Sequence, residues 1–129
     1  MSEPIVFISH FFVDPAEVDA LRQLHHSIAG ELVADKPGTL AFLSYLGEDS
    51  GRLTIVHVFP DGDSMASHFE GADERSRRAY ELMRPAGWEI YGSPHPAILD
   101  QMRKAAAEAG VELELAPDHL GGFLRLTAG

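Results

Sequence analysis

The chain contains no cysteine and a single tryptophan, Trp88, among 129 residues. Without cysteine there is no disulfide framework, no thiolate nucleophile and no thiolate ligand for a metal. Positive charge is also scarce. Ten Lys and Arg stand against twenty Asp and Glu, for a formal net charge of -10. Binding along a phosphate backbone needs clustered cations. The one basic cluster, Arg75, Arg77 and Arg78, is interleaved with Asp73, Glu74 and Glu81. It reads as a solvated helix face, and no nucleic-acid partner is expected. No stretch reaches the roughly 20 apolar residues of a membrane helix, so no membrane partner is expected either. The N-terminus lacks a basic segment, and Asp14-Pro15 interrupts its apolar run. It does not read as a signal peptide, and a cytoplasmic protein is the expectation. G-x-S-x-G, P-loop and G-x-G-x-x-G motifs are missing. Hydrolase, NTPase and dinucleotide readings therefore have no support.

What is present suits a single globular domain over residues 1–129, with 45% hydrophobic and 23% charged residues. Residues 5–13, IVFISHFFV, predict a strand, with Ile5, Phe7, Phe11 and Val13 on one face and Val6, Ile8, His10 and Phe12 on the other. Asp14-Pro15 opens a helix, Val18, Leu21, His25, Ile28 and Leu32 carry its apolar stripe, and Lys36-Pro37-Gly38 ends it. Residues 39–47 and 52–60 predict a hairpin turning at 48–51. A short helix capped by Asp61 or Asp63 carries Met65, His68 and Phe69, and a second, starting at Asp73, carries Ala79, Tyr80 and Met83. Residues 88–92 predict a fourth strand. A helix to about residue 109, a strand over 111–115 and a last short strand, FLRL, complete the chain.

Up to residue 92 the order is β-α-β-β-α-β, the ferredoxin-like α+β plan with helices on one side of an antiparallel sheet. Strands 5–13 and 52–60 are apolar on both faces, whereas a monomer would leave one face wet. A second copy packed face to face is the simplest cover, so a homodimer is expected. The alternative cover is the C-terminal extension folding back.

Several stretches together resemble the antibiotic-biosynthesis-monooxygenase type of dimeric α+β barrel, quinol-monooxygenase-like proteins included. They are IVFISHFFV running into Asp14-Pro15, then KPGTLAFLSYLGED, VHVFPDGDSMASHFEG and WEIYGSP. The resemblance covers roughly residues 4–94, with 95–129 as an extension. It implies oxidation of an electron-rich aromatic, an anthrone or a quinol, by O2 with no metal or flavin cofactor. Relatives on this fold also degrade haem, act as isomerases or lyases, or have no known reaction.

Two titratable rings stand where a core would accept Val or Leu: His57 inside an apolar strand and His68 on the apolar side of a helix. A buried imidazole is neutral near pH 7 and can take a phenolic proton. His57 or His68 is therefore the expected general base. Tyr45 and the other histidine would hold the oxyanion. His10 and His25 could border the same space, and Trp88 and Phe59 would shape a ring slot. His10 and His57 lie on neighbouring strands and could share a face. The plainer reading makes His57 a core histidine bonded to a neighbour and His68 an anchor of its helix. The two histidines lack the local pairing of zinc or iron ligands, so no metal site is expected. Haem through a proximal histidine is an alternative on this fold without a cue in the residues. A barrel that binds a small apolar ligand without turnover is the other alternative.

Overall fold

In the computed structural model, residues 3–47 and 49–125 are described. β1 (Ile5–Val13) leads through a single 3-10 turn (Pro15–Glu17) into α1 (Val18–Asp35). Asp14 caps this start, its carboxylate accepting from the Ala16 N–H at 2.9 Å. β2 (Ala41–Leu46) and β3 (Arg52–Phe59) form the hairpin, followed by α2 (Gly62–Phe69), α3 (Ala72–Ala79) and β4 (Met83–Tyr91). α4 (Pro96–Ala109) and β5 (Leu113–Ala116) complete the order. This is an α+β, ferredoxin-like chain with one five-stranded sheet, β2-β3-β1-β4-β5, antiparallel except where β5 joins β4 in parallel.

β4 is longer than the sequence predicts. Met83 belongs to it, opposite Val13, and not to the preceding helix. The β1–β4 register slips between His10, opposite Gly87, and Phe11, opposite Pro85. Proline cannot donate to a ladder, and a bulge accommodates it. β5 pairs only with Trp88–Tyr91, so the proline segment lies on an uncovered edge. The final strand expected at FLRL does not form over residues 123–125, which are exposed and unpaired; Leu126 lies outside the described residues.

The alternation of β1 and β3 sorts their side chains as expected. Ile5, Phe7, Ser9, Phe11 and Val13, with Leu53, Ile55, His57 and Phe59, are all buried. Helix residues close over them: Met65 of α2 with Ile98, Met102 and Ala106 of α4 at one end of the sheet, and Leu21 of α1 at the other. α4 thus packs on the face already covered by helices. It does not fold back over the opposite face. That face carries Val6, Ile8, Val56 and Val58, each partly exposed, and Phe12, which is 39% exposed.

Candidate active site

A cavity of about 280 Å³ lies between the inner sheet face and the helices. Its floor comes from Phe7, Ser9, Phe11, Phe42, Ile55 and Trp88, and its roof from α1, α2, α3 and α4. Ser9 explains much of the space. Every other inward position of β1 carries a large apolar side chain, while Ser9, opposite Ile55 and Trp88, leaves the middle of the floor low. The exposed wall residues Asp73, Tyr80 and Gln101 mark the mouth between α3 and α4. An apolar cavity of about 150 Å³ can take benzene, so this one suits a small fused-ring compound.

His57 and His68 both line the cavity. His57 is buried, and its Nδ1–H donates to the Phe7 carbonyl at 3.0 Å. A carbonyl only accepts, so the proton is fixed on Nδ1 and Nε2 keeps its lone pair. Among the described residues Nε2 makes no hydrogen bond. The only sealed, unpaired side-chain polar atom there is Arg78 Nε, so His57 Nε2 opens onto space. Aromatic rings hold the imidazole: Phe7 at 4.9 Å, Phe42 at 5.3 Å and His68 at 5.1 Å between centroids, the last edge-on. Burial pushes His57 down to about 4, opposed in part by the bond to Phe7 and assisted by the charge of Arg75.

The position of His68 follows from α2. Asp61 caps that helix, accepting from the Ser64 N–H at 2.8 Å, which settles the choice between Asp61 and Asp63. One turn on, Met65 and His68 face the sheet. His68 Nδ1 is paired with the Thr39 hydroxyl at 2.8 Å. Burial pushes His68 down to about 3, with further lowering from His57, Arg75 and Lys36. Both rings are therefore neutral near pH 7.

The other expected site residues divide. His25 lines the cavity from α1, stacked on Phe42 at 4.9 Å and bonded to Ser44. Trp88 lines it too, edge-on to Phe11 at 6.4 Å. Phe59 is fully buried, 5.1 Å from the His68 ring, but lies beneath the cavity and not on its wall. His10 and Tyr45 are on the opposite face of the sheet. The register explains this: Phe7 stands against His57, so His10, three residues on, points away, and Tyr45 stands beside Thr54 on that same outer side. The possibility that His10 and His57 share a face is thereby corrected. On the outer face His10 bonds Thr54 at 3.1 Å and pairs with Glu89, which also accepts from Tyr91.

Two cavity residues, Ser9 and Arg75, and the partner of His68, Thr39, escape a reading of the sequence. Ser9 was a gap in an apolar face. Thr39 lies just before β2. Arg75 belongs by sequence to a solvated helix face, yet it is half-buried and lines the cavity. No spacing distinguishes Arg75 from Arg77 and Arg78; only the direction of α3 does. Among the described residues, no group of three or more His, Asp or Glu side chains is placed to hold a metal ion, and no helix is long and apolar enough to cross a membrane.

No protein-family model and no curated protein matches the chain. Solved structures do match in fold. MupZ from Pseudomonas fluorescens aligns over 98% of this chain and 99% of its own, at 14% identity and a TM-score of 0.72. A proposed antibiotic biosynthesis monooxygenase from Caulobacter crescentus aligns over 69% of this chain and 88% of its own, at 16% identity and a TM-score of 0.62. A mutant of SnoaB, a cofactor-independent oxygenase from Streptomyces nogalater, aligns over 71% and 94%, at 14% identity and a TM-score of 0.58. At these identities the likeness establishes a shared fold.

Proposed function

We propose that this chain is a cofactor-independent monooxygenase for a small anthrone- or quinol-type aromatic, acting as a homodimer. The observation that carries the reading is His57: a neutral ring, locked in one tautomer, with its free Nε2 on an apolar cavity. In an anthrone-type substrate, Nε2 takes one proton from the ring CH2 and leaves an electron-rich anion. The anion passes one electron to O2. The resulting carbon radical and superoxide join in a C–O bond, and the proton returns from His57 to the peroxide. Loss of water then leaves C=O. One oxygen atom ends in the product and the other in water, so no external reductant is needed.

A base near 4 is weak for this work. Against a phenol near 10 the mismatch is about six pKa units, or about 8 kcal/mol. The anion must therefore be stabilised where it forms, beside the new imidazolium and in a site of low dielectric. His68 can contribute. When the Thr39 hydroxyl donates to Nδ1, the other ring nitrogen carries the proton and donates to an oxyanion. His25, Trp88 and Phe42 would border the ring, while Phe59 supports the two histidines from below. His10 and Tyr45 fall outside this arrangement and belong to the proposed dimer face.

The depressed value of His57 also favours a second reading, a barrel that holds a small apolar ligand without turnover. Oxygen uptake with an anthrone and with a quinol separates the two. The enzyme reading expects substrate-dependent O2 consumption, product carrying oxygen-18 from labelled O2, and no response to chelators or added flavin. Ligand binding without O2 consumption would leave the carrier.

A further inference from the structure

We propose that Arg75 makes this cavity selective for anionic aromatics: fused-ring compounds bearing a carboxylate or an acidic hydroxyl, bound with that group at the guanidinium. The proposal rests on the aromatic-cavity reading above and names the ligand class.

Arg75 borders both the apolar cavity and a neighbouring polar cleft of about 180 Å³. Its guanidinium donates to the backbone carbonyls of His68 and Glu70, the latter at 3.5 Å. These are carbonyls at the end of α2, where a cation is favoured. They orient the planar fork but carry no full negative charge. Among the described residues, no carboxylate lies within ion-pair distance of Arg75. Two nearby acids are committed elsewhere: Glu31 pairs with Arg78 at 2.8 Å, and Glu74 pairs with Arg77. Asp73 lies on the wall but is exposed at the mouth. The adjoining cleft is lined by Lys36 and Arg78 and by Glu31, Asp35 and Glu74, so it supplies mixed charge and no direct partner for the Arg75 fork on the cavity side.

The remaining titratable groups on the cavity wall are His25, His57, His68 and Tyr80, all neutral near pH 7. A half-buried cation therefore faces an apolar space with no carboxylate in direct contact among the described residues, Glu31 acting on it only at longer range. A partly desolvated guanidinium gains most from a carboxylate or phenolate, which it can hold with two parallel bonds. The ring would lie against Phe42 and Trp88, with its anionic end toward α3. Where the anionic group is an acidic hydroxyl conjugated with the ring, a substrate that enters already ionised also leaves less for the weak base, His57, to do.

The test compares 2-naphthoate with its neutral isostere 2-naphthamide by calorimetry on the full chain at pH 7.5. Charge-assisted bonds contribute about 1.5–3 kcal/mol, so the acid should bind about ten- to hundred-fold more tightly. Arg75→Gln should erase that preference with little effect on the amide, and Arg75→Lys should keep part of it. Arg75 also holds the end of α2, so a readout free of substitution is needed. In the wild type, the Arg75 Nε–H resonance should move with the acid and not with the amide. Equal affinity for the two compounds, or a preference that survives Arg75→Gln, overturns the proposal and leaves the aromatic cavity standing. Binding of neither overturns both.

Discussion

His57 makes one hydrogen bond that any core histidine would make, and it exposes one nitrogen that a core histidine would not need. Asn can separate these roles. Its amide nitrogen falls where Nδ1 does, so His57→Asn keeps a donor for the Phe7 carbonyl and deletes Nε2. General-base catalysis contributes about 10²–10⁴-fold. Oxygen uptake by His57→Asn should fall by at least about a hundredfold while far-ultraviolet circular dichroism is unchanged; unaltered uptake would remove His57 as the base. Acid sensitivity provides a second readout. His57 and His68 lie below the ordinary histidine value of 6.5, at about 4 and about 3. Between 6.5 and those values the unfolded chain binds protons that the folded chain refuses. Stability therefore falls as pH falls through this window and is unaffected above it. At about 1.4 kcal/mol per unit, the loss reaches a few kcal/mol by pH 4. Urea midpoints should drop steeply from pH 6.5 to 4.5 in the wild type and less in His57→Asn; parallel curves would contradict the buried neutral ring. The two rings were legible in the sequence because a polar residue on an apolar face is conspicuous. Ser9 and Arg75 were not, since a small residue on a strand and one arginine among three have ordinary explanations. Only the tertiary arrangement turns them into floor and wall.

The elements themselves were largely legible, and for local reasons. Asp14-Pro15, Asp61 and Gly110 are backbone punctuation. Gly110 ends α4 at φ 68°, a left-handed conformation that glycine adopts without a Cβ penalty. β4 is longer than its local sequence suggests because Pro85 and Gly87 look like a break. The bulge opposite His10 and Phe11 absorbs both and lets the strand continue, a pairing no local signal announces. α2 matters most for the site, since it carries His68 and its last carbonyls hold Arg75. Its Asp61 cap should therefore influence the site from a distance. Loss of an N-cap costs about 1 kcal/mol, and in a domain this size that lowers Tm by a few degrees. Asp61→Ala should show that drop in calorimetry, while Asp61→Asn, which retains the acceptor, should recover most of it. If both variants melt like the wild type, the cap does not set the stability of α2.

At the scale of the whole molecule the unresolved demand is the outer sheet face. Alternation along β1 and β3 shows an apolar second face in the sequence, and among the described residues nothing covers it. α4 packs on the other side, and residues 117–125 are exposed along their length. Leu43 is 49% exposed and Phe12 39%, beside Val6, Ile8, Val56 and Val58. A monomer rarely leaves so continuous an apolar face in water. The His10–Glu89–Tyr91 network crosses it, giving a second copy polar groups as well as a surface. Within this network the bond to Glu89 pushes the Tyr91 hydroxyl up to about 12, so it remains a donor at any physiological pH. Val56 is central, between Ile8 of β1 and Leu43 of β2. In one chain its side chain points outward, so Val56→Arg should fold. In a face-to-face dimer the same substitution buries an unpaired charge, which costs several kcal/mol and weakens association by about a hundredfold or more. Sedimentation velocity at micromolar concentration should find the wild type at twice the chain mass and Val56→Arg at the chain mass, with its circular dichroism unchanged. Wild-type protein sedimenting as a monomer would overturn the homodimer, and Val56→Arg remaining dimeric would place its seam elsewhere. The cavity lies on the opposite side of the sheet, so dissociated Val56→Arg should still bind 2-naphthoate, which separates assembly from the site.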